Sequence, residues 1–188
     1  MITSVKSSSQ VSLEEFLRLP ETKPAREYIN GQIYQKPMGQ TKHSRITLRL
    51  SSTIERVGEP QQLAAAFPEL RCTFGGRSLV PDIVVLEWSR IPRQDNGMLD
   101  NKCKTAPDWA IEIVSPEQSS NILIEKITFC VNNGSQLGWL IDPEDECLIT
   151  FQPNKQPEVR YNSEPLPVLN ILTDLQLSAK EIFSWLYM

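Results

Sequence analysis

The stretch Trp109-Ala-Ile-Glu-Ile-Val114 constrains this chain more than any other. Apart from one residue it is apolar without alternation, the pattern of a strand covered on both faces, and Ser115-Pro116 closes it. A second run of the same kind, over 83–88, carries a continuous Ile-Val-Val-Leu core and opens through Pro81-Asp82. The exception in the first run is Glu112. A carboxylate among Ile111, Ile113 and Val114 costs several kcal/mol unless it is paired, protonated or bound to a cation. Side chains alternate along a strand, so Asp82 and Glu112 can face one another if the two strands pair. Two such carboxylates offer the oxygen ligands that Mg²⁺ or Mn²⁺ prefers.

The remaining elements are read from local signals. Ser12-Leu-Glu-Glu15 is a capping-box pattern for a short helix over 13–19, stopped by Pro20. Two strand-like runs flank Asn30-Gly31 and predict a tight β-hairpin. From Thr41 to Val57 the spacing of Ile46, Leu50, Ile54 and Val57 among charged residues predicts a helix, and 68–74 reads as a strand. Residues 89–105 read as a long loop. A helix is expected over 119–133, ended by Asn133-Gly134, followed by a hairpin of 137–141 with 147–151. Ser178 and Glu181 cap a final helix running to Leu186. At about 100° per residue, Lys126 falls among Ile122, Leu123, Phe129 and Cys130, on the face of its helix that should pack inward. A lysine there seeks an anion, either a buried carboxylate or a phosphate.

Composition narrows the function. The 188 residues, 40% hydrophobic, suit one compact domain, read as a single unit over 1–188 with an N-terminal helical extension over 1–25 and a C-terminal helix over 178–188. No apolar run is long enough for a membrane span and the N-terminus is polar, so the chain is expected to be soluble and cytoplasmic. The four cysteines are scattered and only one histidine is present, which excludes the usual structural zinc site and any two-histidine mechanism. Free buried thiols are expected. The net charge of −4 is not the footprint of a typical nucleic-acid binder, although an acidic total can hide a local basic groove.

Pro81-Asp82 followed by Glu112-x-Val114 resembles the Pro-Asp…(Asp/Glu)-x-Lys signature of the restriction-endonuclease-like, or PD-(D/E)XK, superfamily, with valine in place of the final lysine. Glu112-Ile-Val-Ser-Pro116, the lysine-bearing helix, Gly138-Trp-Leu-Ile-Asp-Pro143, the Glu27-Tyr-Ile-Asn-Gly31 hairpin and the helix bearing His43 together resemble the Uma-two family of restriction endonucleases. In that family the lysine sits on the following helix, which Lys126 satisfies; an acidic residue is also frequent early in that helix, where this chain reads Ser119-Ser-Asn121. The resemblance implies an α/β fold with a mixed central sheet flanked by helices and an N-terminal hairpin. It also implies metal-dependent hydrolysis of DNA phosphodiester bonds. Asp82, Glu112 and the Ile113 carbonyl would hold the Mg²⁺ or Mn²⁺, Lys126 would act on the attacking water and the developing charge, and Glu27 would be an outer ligand or second-metal residue.

Each residue also has a plainer reading. Asp82 can be a turn residue, Glu112 a structural ion pair with Lys126, and Lys126 a lysine whose head reaches solvent. His43 is expected to bond a neighbour rather than act as a base, Asp108 after Pro107 to be a decoy, and Asp142 to end its strand in a turn. Trp109, Trp139 and Trp185 read as core or interface packing. Two further functions stand beside the nuclease. One is an inactive nuclease-fold binding module. The other is a homodimerising domain using Phe183, Trp185, Leu186 and Tyr187 as an apolar patch.

Overall fold

The structure, a computed structural model, describes residues 11–187 apart from 117. The polar N-terminal residues 1–10, part of the expected helical extension, lie outside that range. Among the described residues of the extension lies one helix, α1 (Leu13–Arg18), and Ser12 and Glu15 form its reciprocal capping box.

A six-stranded sheet forms the centre, in the order β10-β9-β8-β7-β6-β3. Its strands are β3 (Ala64–Pro68), β6 (Ile83–Glu87), β7 (Trp109–Ile113), β8 (Leu137–Asp142), β9 (Cys147–Phe151) and β10 (Glu158–Arg160). Only β7 and β8 run parallel, joined by α3 (Ser120–Asn132), so the sheet is mixed. One face packs on α2 (Thr41–Gly58) through Ile46, Leu50 and Ile54, and on α4 (Ala179–Ser184) through Ile182 and Phe183. That face is largely apolar, with Val85, Trp109, Ile111, Trp139 and Ile141 buried in it. The other face meets α3, whose buried Leu123, Lys126, Ile127 and Cys130 recur at helical spacing. Gly138 lets α3 approach β8 closely, because a Cβ there would collide with Ile127. No helix of the described residues is long and apolar enough to cross a membrane.

A smaller sheet leans on this core, in the order β2-β1-β5-β4. The hairpin of β1 (Arg26–Ile29) and β2 (Gln32–Gln35) turns through Asn30 and Gly31, both at positive φ as a primed turn requires. Strands β4 (Cys72–Phe74) and β5 (Arg77–Leu79) form a second hairpin around Gly75-Gly76. The long loop after the 3₁₀ turn Trp88–Arg90 is fastened to β4, where the Thr73 N–H donates to the Cys103 carbonyl (2.9 Å) and the Cys72 thiol lies 3.6 Å from that of Cys103. All four cysteines are free and buried, as expected.

Two expectations need correction. The strand read over 68–74 is the end of β3, a turn at Glu69 with positive φ, and β4. The Ala-Ala-Ala of β3 has little intrinsic strand preference, and the Gly75-Gly76 turn and the short β10 went unread. The apolar C-terminal patch does not exist as a surface. Phe183 and Trp185 are buried in the core against α2's face of the sheet, and of the four residues only Tyr187 is exposed.

Candidate active site

The β6–β7 register pairs Ile83 with Ile111, and continuing it by one residue sets Asp82 opposite Glu112. Directly opposed side chains share a face. That face is the one α3 covers, and α3 carries Lys126 toward both carboxylates. Its ammonium lies 2.7 Å from Glu112 Oε1 and 2.5 Å from Glu27 Oε1, and it donates to the Val80 carbonyl at 3.2 Å. Glu27 comes from β1, and its carboxylate is fixed by the Val80 N–H at 2.6 Å. The two sheets therefore meet at the Val80-Pro81-Asp82 segment.

Asp82 is held from three directions. Oδ1 accepts from Lys36 at 2.6 Å; Oδ2 accepts from the Ile113 N–H at 2.8 Å and lies 3.0 Å from His43 Nε2. Lys36 also donates to the Val80 carbonyl at 2.7 Å. Asp82, Glu112 and Lys126 are 3%, 1% and 2% exposed, so this is a buried cluster of three carboxylates, two lysines and a histidine.

Its electrostatics follow from burial and pairing. Burial disfavours the Asp82 carboxylate, but the charge of Lys36, then His43, more than offsets this and holds the group below the usual carboxylate range. Burial pushes Glu112 up to about 7, against the pull of Lys126 and with the help of the Asp82 and Glu27 charges. Burial likewise penalises the Lys126 ammonium, and Glu112, Glu27 and Asp82 together outweigh it and raise its pKa. Lys126 is thus favoured in its charged form and held between the two carboxylates. Glu112 is a strained carboxylate, for Oε1 makes a close ion pair with Lys126 but has no aligned hydrogen bond.

These donors suit a hard cation in kind. They are carboxylate oxygens, and the buried Glu112 Oε1 lacks a hydrogen-bond partner. Among the described residues no three His, Cys, Asp or Glu side chains are arranged to hold an ion by themselves. Mg²⁺ does not demand this, since it is commonly bound through one or two carboxylates with water and phosphate completing the shell.

Of the residues singled out in the sequence, Asp82, Glu112, Lys126 and Glu27 converge, and Asp82 is no mere turn residue. Asn121, early in α3, is exposed and outside the cluster. Asp108 is buried in a structural pairing with Arg90 and with the Glu87 N–H. Asp142 ends its strand in a turn, accepting from the N–H groups of Glu144 and Asp145. The three tryptophans are core residues. His43 does bond a neighbour, but that neighbour is Asp82. Lys36 was missed altogether, and its only local signal is its place just after β2, where its N–H extends the hairpin to the Ala25 carbonyl.

The Uma2 family profile, described as "Putative restriction endonuclease", matches residues 13–180. The chain belongs to the Uma2 family. A crystal structure from Anabaena variabilis, described as a putative nuclease belonging to DUF820, superposes with a TM-score of 0.92. It is 50% identical in sequence over 94% of this chain and 99% of that one. No curated protein matches the chain. Membership of Uma2 and this neighbour support a nuclease-like function, and both the family resemblance and the mixed sheet flanked by helices are borne out.

Proposed function

We propose that this protein is a metal-dependent endonuclease that hydrolyses phosphodiester bonds in DNA. The observation that carries the reading is the convergence of Asp82, Glu112 and Lys126, buried and drawn from three elements, with one Glu112 oxygen lacking a hydrogen bond. A protein rarely buries three carboxylates in one place for stability alone, since apolar residues of similar volume serve as well or better. Asp82, Glu112 and the Ile113 carbonyl would hold Mg²⁺ or Mn²⁺. When bound, such an ion lowers the pKa of a coordinated water and polarises the phosphate.

The chain's own residues supply the rest. Lys126 sits between Glu112 and Glu27, which hold its ammonium in place, and from there its charge would stabilise negative charge developing on the phosphate. Glu27 orients Lys126 and adds an outer acceptor beside the pair. The Ile113 N–H and His43 fix the plane of the Asp82 carboxylate.

Cleavage of plasmid and linear DNA with Mg²⁺ or Mn²⁺ tests this. Wild type should cleave, and Glu112→Gln should lose cleavage by about 10²-fold or more, the scale of losing one electrostatic contact to the transition state. Wild-type protein that binds the ion yet cleaves neither DNA nor RNA would be an inactive nuclease-fold module instead.

A further inference from the structure

We infer that Lys36 is the resident counter-ion of the cation site, a positioning residue that occupies Asp82 Oδ1 and has to leave it when a divalent ion loads. The inference rests on the metal reading above and deepens it.

The two oxygens of Asp82 are held by groups of different kinds. Oδ2 is bound by the Ile113 backbone N–H at 2.8 Å and approached by His43 at 3.0 Å. The first of these cannot move without breaking the end of β7, and the second is seated on the first turn of α2. Oδ1 has Lys36 at 2.6 Å, at the end of a flexible four-carbon stem. Oδ1, with a single donor, is therefore the oxygen an incoming ion would approach, and there it would meet the Lys36 ammonium, whose like charge opposes loading.

Displacement is physically modest on the protein side. The other acceptor of Lys36, the Val80 carbonyl, retains Lys126 as a donor at 3.2 Å, so it is not left unpaired. The lysine stem roots at the base of a short connection, 37–40, between β2 and α2, where Met38 is 68% exposed and open to solvent. Charge favours the exchange as well. Three carboxylates face two lysines, so a divalent ion can replace one ammonium and leave the cluster better balanced. The freed ammonium would then be available to an incoming phosphodiester.

Direct competition makes a sign prediction that a purely structural lysine does not share. Losing a structural lysine loosens the site and weakens metal binding; losing a competitor strengthens it. Calorimetric titration of the DNA-free protein with Mn²⁺ should show tighter binding by Lys36→Met than by wild type, by about fivefold or more, the lower end of typical coupling between two ligands. Lys36→Gln guards against misfolding of the first variant and should shift affinity in the same direction; thermal melts by circular dichroism verify that each variant is folded. Equal or weaker Mn²⁺ binding by both folded variants, with wild-type binding abolished by Glu112→Gln, would overturn the role of Lys36 and leave the metal site standing. Absence of Mn²⁺ binding in wild type and both variants would overturn the two together.

Discussion

Two Pro-Asp pairs open the two central strands, and because β6 and β7 are antiparallel they stand at opposite ends of the same ladder. Their local construction is nearly the same. Asp82 Oδ2 accepts the Ile113 N–H at the far end of β7, and Asp108 Oδ2 accepts the Glu87 N–H at the far end of β6. Each has a cation on its other oxygen, Lys36 in one case and Arg90 in the other. They differ in company. Asp108 is completed by Arg90 and the Gln136 amide, and Arg90 itself is 34% exposed, so the ensemble is one carboxylate with enough donors. Asp82 stands with Glu27 and Glu112, three carboxylates faced by two buried lysines and by His43. A carboxylate that merely fastens a strand end resembles Asp108. The excess of acid at the Asp82 end is what structure alone does not require.

The largest effect expected from this contrast is on cleavage. Lys126→Ala should lose DNA cleavage by about 10²- to 10³-fold while keeping its fold, whereas Arg90→Ala should cleave at the wild-type rate per folded molecule. Plasmid nicking by the two variants side by side measures this, and equal losses would erase the distinction between the two ends.

Next comes stability at the other end. Asp108→Ala leaves the Glu87 N–H without its acceptor at a fully buried position and strips Arg90 of its carboxylate, while the Gln136 amide keeps Glu87 Oε1. About 3 kcal/mol should be lost in urea unfolding, with cleavage per folded molecule retained.

A smaller shift is expected from the ion. Mn²⁺ at about 100 times its dissociation constant should stabilise the wild type by about 2.7 kcal/mol through mass action. Glu112→Gln should abolish that gain, and Asp108→Ala should keep it; a gain surviving in Glu112→Gln would move the ion elsewhere.

The pH dependence of the metal-free protein sharpens the same contrast. Glu112 is raised from its ordinary value near 4.5 to about 7, so the fold prefers its protonated form. Its contribution is fully present below pH 4.5 and is lost as pH rises toward 7. Asp82 is depressed, so its contribution is present above the usual carboxylate range and lost only in stronger acid. Urea unfolding from pH 4.5 to 7 should show a declining component that Glu112→Gln removes. The same slope in both proteins would contradict the strained state assigned to Glu112.

How much of this was legible beforehand depends on whether the deciding interaction is local. The apolar runs of β6 and β7, the Asn30-Gly31 turn and the capping box of α1 are written in neighbouring residues and were read correctly. The inward position of Lys126 followed from helical spacing alone, and the facing of Asp82 and Glu112 from strand alternation once the strands were paired. Lys36 had no such signal. It becomes buried only because the hairpin packs on the start of β6, placing Lys36 against Asp82 across 46 positions of sequence. In its own neighbourhood, Gln35-Lys-Pro37 reads as a polar exit from a strand. His43 was seen on its helix, but its partner lies on another element, and helix periodicity says nothing about what meets a helix end. The C-terminal aromatics failed for the opposite reason: apolar residues near a chain end look like a surface patch until the core that receives them is known.

The central claim is that the Asp82 end holds a divalent ion and the Asp108 end does not. A crystal soaked in Mn²⁺ and measured by anomalous scattering at the manganese edge tests it directly. The account predicts one peak bridging Asp82 and Glu112, with Lys36 moved off Asp82 Oδ1. A peak confined to Asp108, or to the acidic turn of Glu144, Asp145 and Glu146, with Lys36 still on Asp82, would contradict it.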